Sequence, residues 1–515
     1  MPETQEENSQ KKNQSSRETV DPIWQKTPRA YKIADGLTEA VTYFMVIFAP
    51  WAFGTTDNWS EWILASAGYT LGLLLLGKWI VRKKTNYTPL RVDTHGKNYV
   101  TPWNIKVLAG LNILLFLYVL ISALNARSDF NPNDLAFERR ESYIAWLPHS
   151  FAATATWEWL WKHLGLALSF WAIRDWLITK TGRERFLDRQ FQEKTGSARQ
   201  TTLEITAPEL PDRVRRLLWI LCVNGGILAL EAILQRLSGT NKLLWILEPY
   251  WRKRGVDQFG PYAYRTNAAQ YLNLIWPVCL GFWLTLRKNA AAAIKSGGRV
   301  GSQPYVVLVP FAALALAGPF ISASRGGAII AFVLLLPVTA LFWSSIQKSE
   351  IYLKLGLLVF LGVSVSLASY LGGETLTKRF EEESLTTLSG RDRIYETADQ
   401  IANDYPWWGV GAGAFSSVYY MYRGSKQTWD AFAHNDWLET RITLGRVGST
   451  VALCCLFMIL YSNMRLRGKL FIPEIRISIL VAAVGVLAHA IFDFPCQVHS
   501  ILFTALVLGA LSIVR

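Results

Sequence analysis

Charge is sparse in this chain of 515 residues, and negative charge especially so: Asp and Glu total 39 against 53 Lys and Arg, and the four types together make up 18%. Soluble domains carry about 25%. Only five cysteines are present, and Cys222, Cys279, Cys454, Cys455 and Cys496 lie in or at the ends of apolar runs, without the spacing of a metal site. That placement implies neither a disulfide framework nor a zinc site. Histidine is also rare, with six. No nucleotide-sugar or cofactor fingerprint appears. Gly409, Gly411 and Gly413 form a GxGxG run, but no strand precedes it and no P-loop lysine follows, so it reads as a tight turn or close packing. No internal repeat is evident, which weakens a transporter built from inverted halves.

What is plentiful is apolar sequence. Hydrophobic residues make up 51%, with 22 Trp, and runs of about 18 to 22 apolar residues recur along most of the chain. Segments such as Val107 to Leu124 are apolar all round, as a lipid-facing helix requires. The runs predict an all-α, polytopic membrane protein of about twelve helices, near 37–54, 60–81, 104–124, 158–178, 215–237, 268–287, 305–322, 326–344, 352–371, 445–464, 476–494 and 497–514. Within it, 1–35 reads as a flexible tail without a cleavable signal peptide, 36–238 as an N-terminal bundle, and 239–515 as a second region with a large loop at 372–444.

The net charge of +14 gathers in alternate loops: Arg82 to Lys84; Arg183, Arg185 and Arg189; Arg287, Lys288, Lys295 and Arg299; Arg465, Arg467 and Lys469. By the positive-inside rule these face the cytoplasm, and both termini with them. Topology and anionic lipid headgroups account for the basic balance without nucleic acid. The external segments are then 125–157, 238–267, the SASR turn at 322–325, and 372–444. A loop of roughly 70 residues far exceeds the usual connection. Within it, Ile394, Ala398, Ile401, Ala402 and Tyr405 share one helical face ahead of Pro406, Trp407 and Trp408, which predicts an amphipathic helix lying on the membrane.

Several arginines fall on this external side against the rule: Arg252, Arg254, Arg265, Arg325, Arg391 and Arg393. Each alone is compatible with a snorkelling or ion-paired surface residue. Arg325, between two apolar spans with small residues around it, needs a partner, and several guanidinium forks on one pocket suit a diphosphate. In the stretch AFAHNDWLETRITLGRVG, His434 is followed by Asn435, Asp436 and Glu439, carboxylate and amide groups that could set its tautomer or cap the next helix. His489 and Asp493 are i and i+4 on the helix expected at 476–494 and so share a face, where they stabilise the bundle or support chemistry.

The segment AHNDWLETRITLGRVG resembles the HN-x-(Tyr/Trp)-L segment of the O-antigen ligase-like family of bacterial membrane glycosyltransferases, which includes polysaccharide polymerases and protein O-oligosaccharyltransferases. FGPYAYRTNAAQYL at 259–272, SASRGGAIIAF at 322–332, GRDRIYETADQIANDYPWWGVGAGAF at 390–415 and HAIFDFPCQ at 489–497 resemble the same family, in the same order. Trp437 and Thr443 depart from it, where many relatives carry Tyr and Glu.

The resemblance implies about twelve transmembrane helices in the bacterial inner membrane, with a site facing the periplasm. It also implies a substrate class: a glycan moves from a polyprenyl diphosphate, typically undecaprenyl diphosphate, to an acceptor hydroxyl on a lipid A core, another glycan or a protein, with inversion and without ATP. Carried over by position, His434 is the catalytic histidine, and Arg265 and Arg325 are the family's arginines. Arg391 joins them as a candidate for the diphosphate, Asn435, Asp436, Glu439, His489 and Asp493 are supporting residues, and neither metal nor cofactor is required. The competing reading is a transporter or flippase of lipid-linked oligosaccharide. It requires polar residues through the middle of the bundle, whereas the candidates here cluster at one face.

Overall fold

A computed structural model describes residues 24–92, 101–195, 210–250, 254–295, 304–346, 351–382, 391–425, 427–465 and 473–514. Helices stand at all the positions where apolar runs predict them. In order they include α1 (Arg29–Trp51), α2 (Asn58–Thr85), α3 (Trp103–Leu124), α4 (Ala153–Leu177), a polar helix α5 (Gly182–Thr195), α6 (Asp212–Ser238), α7 (Arg265–Lys295), α8 (Leu308–Ile321), α9 (Arg325–Ser345) and α10 (Ile351–Glu382). Two short helices follow, α11 (Asp392–Asp404) and α12 (Phe415–Tyr422), and then α13 (Asp436–Arg465), α14 (Pro473–His489) and α15 (His499–Ser512).

Among the described residues, eight helices are long and apolar enough to cross a membrane: α1, α2, α3, α6, α7, α8 with its leading turn from Pro304, α9 and α13. Their outward faces carry bare hydrocarbon, with Leu73 at 70%, Leu336 at 67% and Phe332 at 64% exposure. Such faces suit lipid rather than water. Inside, one core runs from Met45 on α1 through Trp176, Trp276 and Leu316 to Val514, so helices on both sides of the expected 238/239 boundary share it.

Four expectations need correction. The chain between α3 and α4 is not wholly helical or irregular, because Ser128–Asn131 (β1) and Ala136–Arg139 (β2) pair antiparallel, with Phe130 opposite Phe137. The tail expected to reach residue 35 gives way to helix at Arg29, just after Pro28, whose fixed φ and missing N–H suit a helix start. Residues 1–23 lie outside the described residues, as do Arg252, Arg299, Arg467 and Lys469. The large loop is shorter than 372–444: α10 continues through polar helix formers to Glu382, and α13 begins at Asp436, ahead of its apolar run.

The amphipathic helix is present as α11, but its apolar face does not lie on a membrane. Ala398, Ile401 and Ala402 are fully buried in a small second core with Phe151, Val410, Phe415, Val418, Tyr419, Ala433 and Ile442. The periodicity identified a buried face but could not say what buries it. This second core caps one end of the bundle, the end where α7, α9, α13 and α15 start and α14 stops.

The GxGxG run ties the cap to the bundle. Gly409, Gly411 and Gly413 all have positive φ, at 70°, 104° and 74°. Val410 N and Gly411 N donate to Ile442 O and Thr443 O, and Phe151 N donates to Val410 O. A Cβ on Gly409 would stand 2.5 Å from Gly445 N, so only glycine permits this approach. Gly445, at φ 60°, kinks α13 at that level, and Tyr118 of α3 donates its hydroxyl to Trp408 O and Leu444 O. Close packing and a tight turn therefore explain the run.

Candidate active site

The site forms where a helix stops. α14 ends at His489, and Pro495 disfavours helical backbone at the residue before it. The chain instead turns through Ala490 to Phe494 and the short turn Pro495–Gln497 into α15. Asp493 therefore lies beyond the helix end. It does not extend a helical face with His489, although its backbone N–H still donates to His489 O.

Across this break stands His434, with Nδ1 3.2 Å from Asp493 Oδ1. Asp493 is 2% exposed. Facing an ionised carboxylate, Nδ1 carries the proton, which leaves the lone pair on Nε2. Phe494 meets the imidazole edge-on at 4.8 Å between ring centroids. The backbone at His434 is left-handed, with φ 52°, a conformation that costs on the order of 1 kcal/mol outside glycine. It is held there by Tyr395, whose hydroxyl donates to His434 O at 3.0 Å.

Arg391 approaches the other side of the same carboxylate. Its guanidinium is 4.0 Å from Asp493 Oδ2, donates to Tyr264 Oη at 3.4 Å and makes a close bond to Phe492 O. Tyr264 in turn donates to Asp493 Oδ2 at 3.5 Å and stacks on Phe494. Burial pushes the Asp493 carboxyl up, but the hydrogen bond from His434 and the charge of Arg391 outweigh it and hold the group below the ordinary carboxylate range. The outcome is a cation and an imidazole meeting the two oxygens of one buried carboxylate, with both partners partly open.

The other expected residues take different places. Asn435 caps α13, its Oδ1 accepting from Leu438 N at 3.0 Å. Asp436 accepts from Cys496 N at 2.7 Å and Gln497 Nε2 at 3.4 Å, and its own N–H donates to Ala490 O. Glu439 reaches back to accept from Ala433 N at 2.8 Å. Both carboxylates thus fasten the backbone around His434, and Asp493 is the one bonded to its ring.

His489 is 1% exposed, and neither ring nitrogen has a hydrogen-bond partner. Its Nε2 lies 3.0 Å from where a Cβ on Gly326 would be, and its ring packs on Phe492. The missing side chain of Gly326 lets the start of α9 close on this break, which puts its neighbour Arg325, the first residue of α9, beside the site. Arg265 opens α7 one residue after Tyr264, but its guanidinium turns to Val256 O at 2.6 Å and pairs with Asp257 at 3.4 Å. Arg391 therefore bonds the 489–493 turn and Gly326, next to Arg325, packs on it, while Arg265 is engaged with the turn at Gly255–Asp257.

Sequence reasoning did not assign Asp493 to His434, and it missed Tyr264, Tyr395 and Phe494 altogether. An Asp just ahead of a Phe-Pro break was the available signal, because a helix that must stop there leaves the carboxylate free to turn to another element. Among the described residues, no group of three or more His, Cys, Asp or Glu could hold a metal ion. No curated protein matches the chain. Residues 310–453 match the family model described as O-Antigen ligase, a stretch that contains Arg325, Arg391 and His434 and stops short of Asp493. By that match the chain carries an O-antigen ligase domain, of the family that its motifs resemble.

Proposed function

We propose that this chain, whose O-antigen ligase domain supports a membrane enzyme of the glycosyltransferase type, transfers a glycan from a polyprenyl diphosphate to an acceptor hydroxyl at the periplasmic face of the bacterial inner membrane. The observation that carries the reading is the His434 and Asp493 pair beside Arg391. It unites a group that can accept a proton with a cation suited to a departing diphosphate.

His434 Nε2 takes the proton of the acceptor hydroxyl as its oxygen bonds to the anomeric carbon. The bond from that carbon to the phosphate oxygen breaks, and the electron pair leaves with the polyprenyl diphosphate. Attack from the face opposite the leaving group inverts the anomeric centre. Asp493 holds the imidazole in the tautomer that this step needs and stabilises the imidazolium formed. Arg391 and Arg325 meet the charge growing on the diphosphate, and Arg265 positions the turn beside them. The released lipid diphosphate stays in the membrane, and the energy of its bond replaces ATP.

The test is transfer of labelled glycan from undecaprenyl diphosphate in reconstituted vesicles by wild type, His434→Ala and Arg391→Ala, each first shown to insert. Loss of transfer in both, with donor still bound by His434→Ala, is the expected result. Full transfer by His434→Ala would remove the base and return the chain to the transporter reading.

A further inference from the structure

A second cluster of side chains stands on the cap, outside the His434 site. Phe130 of β1, Phe137 of β2, Tyr420 of α12 and Trp429 pack ring against ring, with Phe130 to Phe137 at 5.0 Å, Phe130 to Tyr420 at 6.0 Å, Phe130 to Trp429 at 6.1 Å and Tyr420 to Trp429 at 4.9 Å between centroids. Trp429 is nevertheless 44% exposed. Its ring is not loose, because Nε1 donates to Ser416 O at 3.0 Å. The arrangement fixes a large aromatic surface in place and leaves much of it open.

The rim of this surface is polar rather than aliphatic. The Arg423 guanidinium lies over the Tyr420 ring at 4.9 Å and donates to Gln427 O, while its Nε is buried without a hydrogen-bond partner. Asp430 and Thr428 bond to each other beside Trp429, and Asn131 bridges Asp134 and Glu138 on the hairpin. A sugar ring needs both properties at once: an apolar face for its C–H groups and donors and acceptors around the edge for its hydroxyls. A lipid tail would need no such rim.

Position supplies the remaining argument. Trp429 precedes His434 by five residues, so their Cα atoms are at most about 18 Å apart even if the chain between them is fully extended. Phe130 and Phe137 pack on the same small core that holds Ala433, the residue next to His434, so the platform and the imidazole share one support. We propose that the Phe130, Tyr420 and Trp429 cluster is a saccharide-binding subsite, which takes sugar units a few rings away from the one being transferred. This inference rests on the glycosyl-transfer reading above and gives that site its preference for an extended glycan.

The experiment uses the full chain in vesicles and two donors: the lipid-linked oligosaccharide extracted from cells that make it, and the same lipid carrying only its first sugar. Wild type is expected to show the lower KM for the longer donor. Trp429→Ala should raise that KM by about tenfold at similar kcat and so remove the preference, and Trp429→Phe, which keeps a ring face, should restore most of it. Repeating the comparison with the acceptor's saccharide lengthened and the donor held at one sugar shows whose glycan occupies the platform, and a preference on either side supports the subsite. An unchanged preference in Trp429→Ala overturns the subsite, as does an equal loss with both donors, which would mark the tryptophan as a structural or bilayer contact. Failure of wild type to transfer from either donor would instead overturn the reading on which the subsite rests.

Discussion

His434 and Asp493 are 59 residues apart in the chain, yet Nδ1 of the one lies 3.2 Å from Oδ1 of the other. The carboxylate can only accept, so it fixes the imidazole with its proton on Nδ1 and its lone pair on Nε2. An amide in the same place can donate to Nδ1 and select the opposite tautomer. Asp493→Asn is therefore expected to lower kcat roughly a hundredfold or more, with donor KM little changed. Steady-state transfer kinetics check this, and a variant as fast as wild type would remove Asp493 from the mechanism.

The same pair sets the pH dependence. Because the Asp493 carboxyl is held below its ordinary range, its pairing contributes stability above about pH 4 and loses it only as pH falls through the depressed value. Asp493 is thus ionised between about pH 5 and 8, and an acid-side loss of transfer in that window is not its own titration. Asp493→Asn removes the carboxylate beside the imidazole, so the acid limb of its residual activity should differ in position from that of wild type. The pH profile of kcat decides the point, and an acid limb that does not move would uncouple the two groups.

The bundle was legible because apolar runs of membrane length have few other uses, and helices stand where those runs predict them. His434 and Arg325 stood out for a related reason, as polar groups next to spans that exclude them. What the sequence hid was pairing at a distance. Asp436 and Glu439 are neighbours of His434 in the chain, but the start of α13 turns them towards Cys496, Gln497 and Ala433. Asp493 reaches the imidazole because the helix has already ended at His489, so the turn that follows places its carboxylate. The face of α11 was readable, and its covering by Phe151 and Tyr419 was not, since periodicity carries no record of the partner.

Neutralising the two neighbouring carboxylates should therefore act differently from Asp493→Asn. Asp436→Asn and Glu439→Gln loosen the backbone on either side of His434, so kcat is expected to fall while the acid limb keeps its place. An acid limb displaced by either substitution would show direct electrostatic coupling to the imidazole that their hydrogen bonds do not require.

Gly409 tests the joint between cap and bundle. Its φ of 70° disfavours any side chain, and a Cβ there would press on Gly445 N at 2.5 Å. Gly409→Ala should destabilise the protein by on the order of 2 kcal/mol or more, seen as a lower Tm in detergent and as loss of transfer. A variant with wild-type Tm would mean that the run can move apart without consequence.

Arg391 distinguishes a guanidinium clamp from a simple positive charge. Its terminal nitrogens serve Phe492 O, Tyr264 Oη and the Asp493 carboxylate at once, a fork that an ammonium on a flexible stem cannot reproduce. Arg391→Lys is accordingly expected to lose transfer nearly as fully as Arg391→Ala, by roughly a hundredfold.

A chelator tests the same assignment from the other side. If arginines meet the charge on the diphosphate, transfer in EDTA-treated vesicles should stay close to its untreated rate. Complete loss of transfer that returns on adding a divalent cation would show that a metal carries the charge instead, and Arg391 would then be a positioning residue for Asp493.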